Sequence, residues 1–170
     1  MANGRGMDSN GIVVEMVKDA SDRFKHKLLD VFNHILSNGT IQADWHTTLF
    51  SMLPKSGNLD DPANWRPIAI LPIFYKLFSR LLYHRLRLFL EPEQSDDQYG
   101  FRRNKRIEDV FCVLENVIGK CIEFGVPLWM VSLDMRKAFD RIEFVPLFHA
   151  LREQGVPESY IALLTKLYTN

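Results

Sequence analysis

Apolar residues recur at helical spacing in six stretches of the chain and gather into short runs in three others. Between Gly11 and Ala20, Ile12, Val13, Met16 and Val17 predict a short amphipathic helix. Phe24, Leu28, Val31, Phe32 and Ile35 fall at i, i+4, i+7, i+8 and i+11, with Ser21 and Asp22 as opening caps and Asn38-Gly39 as the stop. A longer helix runs from Pro72, suited to a first turn, to Leu90, its buried side marked by Phe74, Leu77, Phe78, Leu81, Leu82, Leu88 and Phe89. Glu91-Pro92-Glu93 ends it. From Ile107 to Phe124, the residues Ile107, Val110, Phe111, Leu114, Ile118, Cys121 and Ile122 form a stripe expected to face the core, and Gly125 stops that helix. Two short helices complete the set. One carries Phe144, Phe148 and Leu151, begun near Pro146 and stopped by Gly155; the other starts at Pro157-Glu158 and puts Ile161, Leu164 and Tyr168 on one side.

The three short runs read as strands. Thr47 to Leu53 and Arg66 to Leu71 flank a segment dense in turn formers, so a hairpin with a long tip is expected, Lys55 at one root and Arg66 at the other. The solvated lysine and arginine of any surface hairpin remain the alternative reading of those two cations. Leu128 to Leu133 follows Gly125 and Pro127 and ends on Asp134; it predicts a buried strand delivering a carboxylate to its C-terminal edge. An ionised acid in that place needs a cation, hydrogen-bond donors or a metal, unless Asp134 or Asp140 simply caps the next helix.

Composition adds limits. Hydrophobic residues at 46% and charged residues at 25% of 170 are globular values, so disorder is not expected over most of the length. Basic and acidic side chains, 21 of each, cancel, and a nucleic-acid partner has to be argued from local clusters. There are two. Lys76, Arg80, His84 and Arg87 line one side of a helix, either a wet face or a track for phosphates. Gln98 to Arg106 sets four basic side chains at positions 102–106 beside Tyr99 and Phe101, the mixture of cations and flat rings that single strands call for. Cys112 and Cys121 lie on opposite faces of one helix roughly 13 Å apart, so no disulfide joins them there. The five histidines form no zinc-like set with them. Without a signal peptide, a membrane-length apolar run or a cysteine framework, an intracellular location is expected.

In order, Leu53-Pro54-Lys55, Asn64-Trp65-Arg66-Pro67-Ile68, Lys76-Leu77-Phe78 with Arg85-Leu86, Gln98-Tyr99-Gly100-Phe101-Arg102, and Leu133-Asp134 with Ala138-Phe139-Asp140 form a series. It resembles the reverse transcriptases of non-LTR (LINE-type) retrotransposons, firmly from Trp45 to Tyr168 and faintly from Asp8-Ser9-Asn10-Gly11-Ile12. The resemblance implies an α+β fold, the fingers and partial palm of a right-hand polymerase, with a fingers-like region at 1–127 and partial palm at 128–170. It implies that Asp134, with the Met135 carbonyl, holds Mg2+ for two-metal nucleotidyl transfer. Lys55 and Arg66 would clamp the incoming deoxynucleoside triphosphate, and Phe139 would crowd a ribose 2′-hydroxyl. Gln98, Gly100, Phe101 and Arg102 would lie along RNA template and DNA primer. A nuclear site of action and no membrane partner are expected.

One departure from the pattern matters. The family's second carboxylate stands in a paired-aspartate box on a later hairpin, which the series does not reach, and Asp140 is no substitute. The expectation is therefore a fragment without polymerase activity of its own; a nucleic-acid-binding remnant without catalysis is the alternative. Asp134 as the phospho-accepting acid of a small α/β domain lacks a Gly-rich phosphate loop and strand–helix alternation. Because the strand at 128–133 would pair with the later hairpin, an unpaired apolar edge and marginal solubility are expected.

Overall fold

The computed structural model describes residues 1, 3–4, 6–135 and 137–169. Its elements, in order, are α1 (Val14–Lys18), α2 (Asp22–Asn38), β1 (Leu49–Pro54), β2 (Trp65–Ile70), α3 (Ile73–Leu90), α4 (Ile107–Phe124), α5 (Phe144–Glu153) and α6 (Glu158–Tyr168). Single 3-10 turns occur at Ala43–His46, Pro62–Asn64 and Phe139–Arg141. The chain is α+β, rich in helix, with one antiparallel hairpin among the described residues.

Helix ends follow local chemistry. Ser21 caps α2, its hydroxyl accepting from the Phe24 amide, and Gly39 closes it with a left-handed backbone (φ 65°) and an N–H bond to Ile35. Pro72 is the residue before the first turn of α3, not a member of it, with an extended ψ of 141°. α5 starts at Phe144 with Pro146 inside its first turn.

The core gathers around α3. Phe32 and Ile35 of α2, Trp45, Phe78 and Leu82 of α3, and Leu163 of α6 form one buried cluster. Phe78 is fully buried, its ring 5.4 Å from Phe32 and 5.3 Å from Trp45. Toward the other end of α3, Phe148 of α5, Val156 and Ile161 of α6 pack against Leu86, Phe89 and Leu90. Each large apolar side chain so covered contributes about 1.5–3 kcal/mol. The last helices thus return to the first ones: Lys166 of α6 reaches the Asn38 carbonyl at the end of α2.

Three sequence expectations are corrected. Leu128–Leu133 is not in a strand, and Trp129, Val131 and Leu133 are 92%, 85% and 88% exposed. A strand exists only through a neighbour's amides and carbonyls, and the single ladder among the described residues joins β1 to β2. α4 forms where expected, yet Ile107, Phe111, Leu114, Ile118 and Ile122 are exposed and none of its residues is buried. Leu88 points outward from α3, beyond the reach of the α5–α6 pair.

Candidate functional site

The hairpin carries the first group of candidate residues. Its register pairs Leu53 with Arg66 and Pro54 with Trp65, and the Lys55 amide extends the ladder to the Asn64 carbonyl at 2.7 Å. Side chains alternate along a strand, so Lys55 lies on the face of Leu53 and Arg66, diagonal to Arg66 at about 7–8 Å. Both cations are exposed. The tip holds its own shape: the Trp65 indole donates to the Leu59 carbonyl (2.9 Å) and the Asn64 amide to that of Asn58 (2.7 Å).

Two loops carry the second group. In the first, Gln98 donates to the Gly100 carbonyl, Arg102 to that of Ser95 (2.6 Å) and Lys105 to that of Asp96 (2.9 Å), while the Lys105 ammonium sits 4.7 Å above the Tyr99 ring. Arg102 and Lys105 therefore fasten the loop, and Arg103 and Arg106 are its exposed cations. In the second, Asp134, Met135, Ala138, Phe139, Arg141 and Ile142 line one concavity. The Phe101 ring meets the Phe139 ring edge to face at 5.7 Å and joins the two loops. Phe101, Asn104 and Lys137 are the described non-glycine residues with left-handed backbone (φ 60°, 61° and 51°), and all three stand in these loops. Such conformations cost about 1–3 kcal/mol each and gather at functional sites.

Capping does not explain the acids. Glu143 precedes α5 and Ala138 precedes the turn at Phe139–Arg141, and neither element takes a side-chain cap from Asp134 or Asp140. Asp134 is exposed at the end of the extended segment. Asp134 and Phe139 line one concavity, Arg66 stands opposite Leu53 in the ladder with the Lys55 amide bonded one step further on, and Arg66 and Asp134 form no ion pair with each other among the described residues.

One residue that the sequence placed only at the faint start of the resemblance, with no role, has a structural one. Asp8 is the buried charged side chain of the described chain, 8% exposed. Its Oδ1 accepts from the amides of Asn10 and Ile12 (2.9 Å each), and its Oδ2 from that of Ile73 (2.7 Å), the first residue of α3. Burial pushes this carboxyl up, but those three bonds and the Lys76 charge hold it below the usual carboxylate value. The local half was legible, since Asp-x-Asn-Gly is a turn pattern. The partner 65 residues away was not.

Among the described residues no three or more acids, histidines or cysteines converge as a metal site would require. No described helix is long and apolar enough to cross a membrane.

A family model for reverse transcriptases (RNA-dependent DNA polymerases) matches residues 53–170. A retrovirus-related Pol polyprotein from the type-1 retrotransposable element R2 of Popillia japonica is 30% identical over 74% of this chain and 17% of its own length. A probable RNA-directed DNA polymerase from transposon X-element of Drosophila melanogaster is 31% identical over 79% of the chain and 15% of its length. An uncharacterized 149 kDa protein of transposon TX1 from Xenopus laevis is 24% identical over 100% of the chain and 13% of its length. The chain thus spans roughly a sixth or less of these relatives. No solved structure matches it.

Proposed function

We infer the function from one premise: the chain belongs to the reverse transcriptase (RNA-dependent DNA polymerase) family, and its relatives are polymerases of non-LTR retrotransposons. On that premise, residues 1–127 are the fingers-like part and 128–170 the first palm segment of a right-hand enzyme that extends a DNA primer on an RNA template. What supports this reading is the hairpin register: Leu53 stands opposite Arg66 and the Lys55 amide continues the ladder to Asn64, so strand alternation would put Lys55 on the Arg66 side. Two cations on diagonal positions about 7–8 Å apart suit the span of a triphosphate and oppose the charge that builds on the transferred phosphoryl group. Arg66 adds planar, forked donors that a lysine lacks. Phe139, held by Phe101, presents a flat wall where a ribose would lie, and discriminates against a 2′-hydroxyl by bulk. Gln98, Gly100, Phe101 and Arg102 form the ledge for template and primer.

Mg2+ is the ion expected for the whole polymerase, where it would activate the primer hydroxyl and neutralise pyrophosphate. Asp134 and the Met135 carbonyl supply one carboxylate and one carbonyl. The described donor set does not fit a two-ion site.

Titration of a fluorescent deoxynucleoside triphosphate against the chain tests the reading. Lys55→Ala and Arg66→Ala each weaken binding by about 10- to 100-fold, the value of a charge-assisted bond, and Arg66→Lys falls between. Affinity unchanged by both alanine variants overturns it.

A further inference from the structure

We propose that Asp8 is a positioning residue for the hairpin: its carboxylate fastens the N-terminal turn to the first amide of α3 and so fixes the angle at which the Lys55–Arg66 face is presented to a triphosphate. The proposal rests on the reading of those two cations given above. All residues of β1, and all but the end residues of β2, are exposed, so no packed face holds the hairpin against the core. Its direction is set where its outer ends join the rest of the chain. One end follows Trp45, whose side chain is buried. The other is Leu71-Pro72-Ile73, where Pro72 is fully buried with its φ fixed near −54° and Ile73 is buried at the head of α3. The Ile73 amide has no partner inside its own helix, as for any first-turn residue, and Asp8 supplies it. The turn that carries Asp8 is itself closed, by the Asp8 amide to the Ile12 carbonyl and by Gly11 in a left-handed conformation (φ 74°). A rigid turn, a buried carboxylate and a buried proline thus meet two residues beyond the end of β2.

The chemistry of the carboxylate gives a discriminating variant. Asp8 uses one oxygen for its own turn and the other for Ile73. In Asp8→Asn one of those oxygens becomes a donor; whichever way the amide is turned, it faces an N–H and one side of the joint is lost while the volume is kept. Asp8→Ala loses both sides.

The test uses the 170-residue chain with Cys112 and Cys121 changed to Ser and spin labels at Ser51→Cys on β1 and Arg85→Cys on α3. With Asp8 present the label distance is narrow, and Asp8→Asn and Asp8→Ala broaden it. Equal widths in all three overturn the proposal, whether or not a nucleotide binds. Should Asp8→Ala fail to fold, Asp8→Asn carries the comparison. Triphosphate titration supplies the functional link: Asp8→Asn weakens affinity about tenfold, and the loss shrinks in an Arg66→Ala background, since only Lys55 is then left to position. A loss that persists in full in that background marks general damage to the fold and overturns the positioning role. An unsubstituted chain that binds no triphosphate refutes the clamp reading and leaves the label distances to decide the joint.

Discussion

Asp8 carries a charge into the interior, and its protonation is therefore coupled to folding. In the unfolded chain it titrates near the ordinary value of about 3.9; in the folded chain burial opposes ionisation, but the Ile73, Ile12 and Asn10 amides and Lys76 hold the carboxyl lower. A depressed folded value makes its stabilising contribution complete above the unfolded value and lost as pH falls through the folded one. Melting temperatures are therefore expected to hold steady from neutral pH to about 5 and to drop more steeply below about 4 in the unsubstituted chain than in Asp8→Asn; parallel curves would contradict this. A second residue-scale contrast separates packed from bare aromatics. Phe78→Ala removes a fully buried ring and costs about 3–5 kcal/mol, while Phe111→Ala, on the open face of α4, changes denaturant stability by less than about 0.5 kcal/mol.

At the scale of elements, the helices were legible because their signal is internal. A stripe such as Phe24 to Ile35, with a serine before it and a glycine after it, needs nothing else to declare a helix, and α2 ends where Asn38-Gly39 said it would. What a stripe faces is not internal: α4 has the same pattern and no cover among the described residues. The hairpin was readable because both partners lie close in sequence, separated by turn formers. Leu128–Leu133 had the composition of a strand and failed, since ladder partners are a property of the rest of the sheet. The site divides the same way. That Lys55 and Arg66 flank one turn was readable from the hairpin pattern, but that Arg102 and Lys105 would be spent on the Ser95 and Asp96 carbonyls was not. This predicts unequal roles within one basic run. Arg103→Ala and Arg106→Ala should each lower the slope of log affinity for primer–template against log salt by about 1, whereas Lys105→Ala should lower affinity mainly by loosening the loop. Equal effects of all three on the slope would refute the division.

At the scale of the molecule, the boundaries of the family match and of the folded core differ. The matched residues begin at 53, yet Phe32, Ile35 and Trp45 lie before it and enclose Phe78. A chain begun at residue 47 is expected to lose cooperative melting by circular dichroism even though it retains all the matched residues; a sharp transition like that of residues 1–170 would refute the dependence. This closure of the last helix on the second was not legible, because nothing near Leu163 or Lys166 names Phe32 or Asn38 as its neighbour. It has a consequence for the ledge and the acid. Residues 91–143 leave the core at the end of α3 and return to it at α5, so they form a ring closed by folded material and not a tail. Doubling the length of a ring costs only about 0.6 kcal/mol of closure entropy, and that cost is already met in the folded chain. A bound strand that orders the 98–106 loop and the turn after Asp134 then has to restrain only what freedom the closed ring retains, which favours engagement of both by one ligand.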